Sequence, residues 1–378
     1  MRVLSFFSGA GGLDLGFALA GHKIVWSNDF DEYAVESYNT NIGKYMGHES
    51  VLEDVVKLLD KSKEEINQIL PDSDIIIGGF PCQGFTIANL DRSMEDNRNF
   101  LYLQLLKAIS VKKPPYFMLE NVKGLENMES GKILPMIMDD LEKCGTSESK
   151  YFPDNGAGYT VVYDVVNALY FGVPENRERV IILGIRNDLF DSSPLKSFVS
   201  DVPKSKKYDS RKRLSVWYTH SEKSEIVDDI LPKDKVNYLY DRLIAGTLEA
   251  SKPEKKNVIY KTTTMRDAIG DLPEEYSKDI LNHEGSKCVV NIKNKMGNRA
   301  TYWDKHGPTI MGRGSGTGGP LIPPHPNQKR RLTVREVARI QTFPDKFFFC
   351  GSISAGYRQI GNAVPVLMAY NLAKMFNN

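Results

Sequence analysis

The feature that most constrains this chain is a series of short apolar runs in its first half. Each run ends in a polar or glycine-rich turn and is separated from the next by a helix-like stretch. Residues 2–7 read as a strand that enters Ser8-Gly9-Ala10-Gly11-Gly12, and a helical pattern follows to about Ala20. Residues 23–27 form a second strand, closed by Asn28-Asp29, and residues 74–79 form another that stops at Phe80-Pro81-Cys82. Residues 116–119 stop at Glu120-Asn121. Strands apolar on both faces must be covered on both, which predicts an α/β fold with a mostly parallel sheet between two layers of helices. Residues 159–168 and 179–186 are two further strands joined by Tyr170-Phe171-Gly172-Val173-Pro174. So short a connection favours antiparallel pairing at one edge of the sheet.

Open α/β sheets bind ligands beyond the carboxyl ends of their strands, and the chemistry-bearing residues gather there. Glycines after the first strand let a backbone approach a nucleotide closely, and the helix N-terminus that follows favours an anionic group. Asp29, about 20 residues on, stands where a carboxylate binds a ribose. A dinucleotide fingerprint starting at Gly9 would need Gly or Ala at position 14, where this chain has Asp14. That departure points away from a nicotinamide cofactor and towards another adenosine-containing ligand. Cys82 follows the third apolar run, and the polar segment after it contains Asp91, Arg92, Asp96, Asn97 and Arg98, as a lid would. Glu120 occupies the matching end of the next strand, where desolvation would make it an acid near neutral pH. On the residues alone, each of these also has a structural reading: a tight turn, a small buried thiol, a helix cap.

Composition narrows the class. Of 378 residues, 41% are hydrophobic and 26% charged, ordinary values for a globular chain with a substantial core. No apolar run approaches the roughly 18–20 residues that span a bilayer, and no signal peptide precedes the first strand. No membrane association is expected, and the protein reads as cytoplasmic. Its four cysteines, Cys82, Cys144, Cys288 and Cys350, are scattered, so neither a disulfide scaffold nor a metal site is expected. The formal net charge of +1 hides a division. Residues 186–339 hold 29 Lys+Arg against 20 Asp+Glu, and the remainder holds 20 against 28. The basic part could supply phosphate contacts. From residue 187 periodicity weakens, and a Gly-rich run occupies 312–319. Regularity returns near the end: Thr333 and Glu336 form a capping box for a helix over 333–341, and 362–376 reads as an amphipathic helix.

These segments together resemble the cytosine-C5 DNA methyltransferase family over nearly the whole chain. Phe6-Phe7-Ser8-Gly9-Ala10-Gly11-Gly12-Leu13-Asp14-Leu15-Gly16 is similar to its S-adenosylmethionine motif, and Gly79-Phe80-Pro81-Cys82-Gln83 to its Pro-Cys motif. Glu120-Asn121-Val122 matches its Glu-Asn-Val motif, and Glu175-Asn176-Arg177-Glu178-Arg179 its Gln-x-Arg-x-Arg motif, with Glu175 where Gln is usual. Residues 331–345 and Tyr357-Arg358-Gln359-Ile360-Gly361-Asn362-Ala363-Val364-Pro365 resemble the ninth and tenth motifs.

The resemblance implies a Rossmann-like S-adenosylmethionine-dependent sheet with a second, smaller target-recognition domain. The catalytic and cofactor-binding domain would comprise 1–186 plus 350–378, and 187–349 would recognise DNA, the ninth-motif helix included. The implied activity is that of a DNA (cytosine-5-)-methyltransferase acting on a flipped-out base in duplex DNA. Cys82 would be the nucleophile and Glu120 the acid at N3, while Arg179 would contact the cytosine O2 and Arg177 would organise the loop and phosphates. Phe7, Gly9, Gly11, Asp29, Phe30, Asp54, Leu101, Asn362 and Val364 would hold the cofactor, with Asp29 on the ribose and Asp54 at the adenine edge. A monomer paired functionally with a restriction endonuclease is the expected context. A relative acting on RNA, a non-catalytic DNA-binding module and a nicotinamide oxidoreductase are the alternatives. The long 187–328 stretch, the intact Cys82, Glu120, Arg177 and Arg179, and Asp14 weigh against them in turn.

Overall fold

The computed structural model describes residues 1–81, 101–196, 218–225, 230–249, 259–285, 300–312 and 322–377. Cys82, the segment to Arg98 and most of the Gly-rich run lie outside the described residues. The apolar runs form β1 (Arg2–Phe6), β2 (Lys23–Asp29), β3 (Val51–Leu52), β4 (Ile75–Gly79), β5 (Tyr116–Val122), β6 (Tyr159–Asn167) and β7 (Glu178–Arg186). They join one seven-stranded sheet in the order β3-β2-β1-β4-β5-β7-β6. Strands β1 to β5 pair in parallel, and β7 is antiparallel to both β5 and β6. The antiparallel pairing lies at one edge, as the short 168–177 connection predicts. Within it the reversed strand is the inner one, and β6 forms the rim.

The sheet reverses its winding between β1 and β4, the place where open α/β sheets leave a crevice. Alternate residues of each strand point to opposite layers. Val3, Ile75, Ile77 and Met118 face α1 (Gly12–Leu19) and the C-terminal helices. Leu4, Phe6, Ile76, Phe117 and Leu119 face the other layer, α3 (Val55–Leu59), α4 (Lys63–Ile69), α5 (Tyr102–Lys112) and α6 (Ile133–Glu142). Helix α2 (Glu32–Tyr38) follows β2 and is capped by Asp31.

The described residues of the second half bury into the same apolar cluster as the first layer. Helix α7 (Pro232–Ile244) inserts Val236, Leu239, Tyr240 and Leu243, the i, i+3, i+4, i+7 stripe of a half-buried helix. Its Tyr240 hydroxyl donates to the Asn41 carbonyl at 2.9 Å. Helix α8 (Met265–Ile269) packs beside α9 (Val334–Ile340), which has the expected capping box of Thr333 and Glu336. The end of the chain differs from the expectation of one amphipathic helix. Helix α10 (Ile353–Asn362) stops at a turn through Ala363 and Pro365, and α11 (Val366–Ala373) is buried on every side. A residue before proline is pushed out of the helical region, which ends α10 there. Gly16 of α1 lies so close to α11 that a methyl group on it would sit 2.3 Å from Ala369 Cβ.

Candidate active site

The site is assembled at the carboxyl ends of β1, β2, β4 and β5. Beyond β1 the chain turns through Phe7 and Gly9, both at φ +54°, and Gly11 at φ +91° before α1 begins. A side chain at Gly11 would collide with Ile42 and Tyr38, whereas the space beside Gly9 is open. The turn therefore packs downward through one glycine and leaves a cradle above the other. The Gly9 N–H donates to Asp29 Oδ2 at 2.8 Å, and the Asp31 N–H donates to Asp29 Oδ1 at 2.9 Å. Burial still pushes the Asp29 carboxyl above the ordinary carboxylate range. Phe30, next to it, is 75% exposed. An open glycine cradle, a carboxylate at its rim and an exposed aromatic face fit an adenosine-bearing ligand such as S-adenosylmethionine.

Asp14 does not reach this cradle. It is buried beneath the turn, where it accepts hydrogen bonds from Ser5 Oγ at 2.9 Å and the Tyr38 hydroxyl at 3.1 Å. Desolvation pushes its pKa up to about 7. Asp54 stands exposed past β3, and its Oδ1 caps α3 by accepting from the Val56 N–H at 2.8 Å. Leu101 is half-buried at the head of α5 and packs on the second core cluster. Asn362 is exposed at the end of α10, and Val364 is buried with its carbonyl against Gly12, where a methyl group would lie 2.4 Å from it. The tenth-motif turn thus rests directly on the start of α1.

A second group of polar residues gathers around Glu120. This residue pairs in register with Gly79 of β4 and with Ile181 of β7, and both its side chain and that of Arg179 are about nine-tenths buried. Arg179 Nε meets Glu120 Oε1 at 2.8 Å, and Nη1 donates to the Glu178 carbonyl at 2.7 Å. Asn121 has a role that sequence reading missed. Its Nδ2 donates to the Phe80 carbonyl at 3.0 Å, fixing the backbone two residues before Cys82. The exposed Lys123 reaches both oxygens of Glu178 at 2.8 and 2.9 Å beside the same mouth.

Arg177, expected to organise the loop and phosphates, is enclosed among backbone carbonyls. It is 1% exposed, with Nη1 donating to the Ile310 carbonyl and Nη2 to the Gly361 and Ala363 carbonyls at 2.8–2.9 Å. Burial lowers its pKa to about 10. A guanidinium so enclosed positions the protein rather than touching DNA. Glu175 is its companion: Oε1 accepts the Ile310 N–H at 2.6 Å and lies 3.5 Å from Arg177 Nη1. Burial raises the Glu175 carboxyl above its ordinary range despite that neighbour. Glutamate here uses the same acceptor oxygen that a glutamine would.

The profile of the family described as C-5 cytosine-specific DNA methylase matches residues 1–378. The chain belongs to that family. Among its similar members are the Type II methyltransferase M.NgoFVII of Neisseria gonorrhoeae, 35% identical over 99% of this chain and 85% of that one. The Type II methyltransferase M.FnuDI of Fusobacterium nucleatum is 32% identical over 99% of this chain and 93% of its own length. The crystal structure of S. pombe Dnmt2 methyltransferase shares the fold, with a TM-score of 0.60 at 18% identity, covering 99% of this chain and 97% of that one. In this C5 methylase, Glu120 and Arg179 lie in two of the segments that resemble the family's motifs. Among the described residues no cluster of His, Cys, Asp and Glu could hold a metal ion, and no helix is long and apolar enough to cross a membrane.

Proposed function

We propose that the protein methylates C5 of a cytosine flipped out of a specific duplex DNA site, through a covalent adduct with Cys82. The observation that carries this reading is the Glu120–Arg179 pair at 2.8 Å. It stands beside the Phe80 turn that Asn121 holds and on the same sheet edge as the Gly9–Asp29 cradle. C5 of cytosine is a weak nucleophile. Addition of the Cys82 thiolate to C6 creates enamine character at C5, and proton donation from Glu120 to N3 neutralises the charge that develops. Arg179, whose Nε already holds Glu120, presents its remaining N–H groups to the cytosine O2. S-adenosylmethionine supplies an electrophilic methyl group, held by Phe7, Gly9, Gly11, Asp29 and Phe30, with Asp54, Leu101, Asn362 and Val364 around them. With the methyl group on C5 and S-adenosylhomocysteine as the other product, loss of the C5 proton to water, return of the N3 proton to Glu120 and elimination of the Cys82 thiolate would release the methylated base.

A base stacked in a duplex cannot reach Cys82, so flipping is required at a cost of a few kcal/mol. Recognition of the site falls to side chains from 187–328 reading the major groove. The Type II names of the relatives support pairing with a restriction endonuclease that this methylation protects against. We read the enzyme as acting in the cytoplasm as a monomer.

The decisive experiment follows transfer of a labelled methyl group from S-adenosylmethionine to duplex DNA containing the site. Cys82→Ser should abolish transfer while binding of S-adenosylhomocysteine survives. Undiminished transfer by that variant would sink the covalent route, and preference for RNA over every duplex would replace the substrate.

A further inference from the structure

The wall that carries Phe30 is built from two distant parts of the chain. On one side, Asp29 is tied to the glycine turn by the Gly9 N–H. On the other, Asp31 uses its two oxygens differently. Oδ1 accepts the Ala34 N–H at 3.2 Å and caps α2, while Oδ2 meets Arg358 Nε at 3.0 Å and Nη2 at 2.9 Å. Arg358 lies on α10, 327 residues later. The same interface continues along α2. The Cys350 N–H donates to Ser37 Oγ at 2.7 Å, and Gly351 sits against the Tyr33 ring, where a methyl group would come within 2.7 Å. Helix α2 is therefore docked along residues 350–358, and Arg358 is the contact nearest Phe30.

Phe30 itself has little to hold it. With three-quarters of its surface exposed, its ring contributes almost no packing to fix the local backbone. That backbone is held through its two neighbours, Asp29 by Gly9 and Asp31 by Arg358. We propose that Arg358 is a positioning residue for the methyl donor: by anchoring Asp31 to the tenth-motif helix it sets Phe30 as a pre-formed wall against the adenine. The inference rests on reading Asp29 and Phe30 as cofactor residues. Arg358 touches no substrate. It spares the ligand the entropy of ordering the 29–34 turn on binding, the general route by which pre-organisation raises affinity. The ion pair is only partly buried, so its contribution is modest.

The test uses the full chain and S-adenosylhomocysteine as probe, with affinity read by calorimetry. Hydrogen exchange over residues 29–34 is followed in the protein without ligand. Arg358→Met should weaken binding about three- to fivefold, on the order of one half-exposed ion pair. It should also raise KM for S-adenosylmethionine in proportion with kcat at saturation unchanged, and speed exchange over 29–34. Arg358→Lys should recover part of each effect. Asp31→Asn keeps an oxygen for the Ala34 cap, so it should reproduce Arg358→Met, and the double variant should lose nothing further. Unchanged affinity and exchange in Arg358→Met, or additive losses in the double variant, would overturn the proposal alone. Failure of the wild-type protein to bind the probe would instead remove the cofactor reading, and this proposal with it.

Discussion

The two halves of the molecule use buried polar groups in different ways. In the first half, backbone groups are satisfied by the ladders of a parallel sheet, and the buried carboxyl of Asp14 serves one βα turn through Ser5 and Tyr38. Among the described residues of the second half, helices are joined by irregular connections, and there side chains take the place of ladders. Arg177 holds the carbonyls of Ile310, Gly361 and Ala363, and Arg335 those of Leu281, Pro344 and Phe347. Asn282 pairs with both the N–H and the carbonyl of Phe349, and Asn41 does the same for Phe348. Buried backbone groups must be paired by something. Where no strand lies alongside, a guanidinium with five donors is a versatile partner.

This changes the meaning of the basic character of the second half. Arg331, Arg335 and Arg339 are all buried, and Arg339 is paired with Asp271 and Asp345. Arg330 is committed to Glu336. The excess of positive charge lies instead in 197–217, 250–258 and 286–299, which together hold 13 Lys+Arg and 3 Asp+Glu. These segments fall outside the described residues. In the proposed function, the phosphate contacts would fall to them.

The sharpest way to break this contrast is to remove a buried staple. Arg177→Met leaves Glu175 without its counter-charge and three carbonyls without a donor. It should cost about 3–5 kcal/mol of stability, measured by urea unfolding, and should not alter the salt dependence of DNA binding. A shift in that salt dependence with stability intact would mean that Arg177 meets phosphate after all. Next in size is the converse experiment. Changing Lys206, Lys207 and Arg211 together to Gln should leave the unfolding midpoint in place. The slope of log affinity against log salt should fall by about 0.9 for each phosphate that is no longer neutralised. An unchanged slope would move the phosphate contacts to other residues.

The smallest effect belongs to Glu175→Gln, which keeps the acceptor for the Ile310 N–H and should change stability by no more than about 1 kcal/mol. Its sign should depend on pH. Burial raises the Glu175 pKa in the folded state. Its contribution is therefore fully present below the ordinary carboxylate range and is lost as pH rises through the raised value. The variant should gain on the wild type as pH increases. Parallel pH profiles for the two proteins would show that Arg177 keeps the carboxylate ionised throughout.

Much of the strand-end edge was legible because local rules suffice there. Double-sided apolar runs require a parallel sheet, the residues that close them fall on one edge, and Gly9, Asp29 and Glu120 follow from that placement. The capping box at Thr333 and Glu336 was legible for the same reason, since its partners are three residues apart. Asn121, Asp31 and Arg358 were not: each acts on a group 41 to 327 residues away, and their own neighbourhoods carry no trace of it. Asp54 read as a ligand residue, and the structure shows it capping the helix that follows.

By itself, then, the sequence determined the sheet, the edge where its polar residues gather and the chemistry those residues carry, since periodicity and turn composition act over a few residues. The net charge of a region can be counted in the same way, but which charges are available cannot. Only the tertiary structure decided that Arg177 and Arg335 face carbonyls inside the protein while Arg179 meets Glu120 at the strand ends. An arginine reads identically in sequence whether its donors are satisfied by backbone, by carboxylate or by solvent, and only the groups that the fold brings within its reach distinguish them.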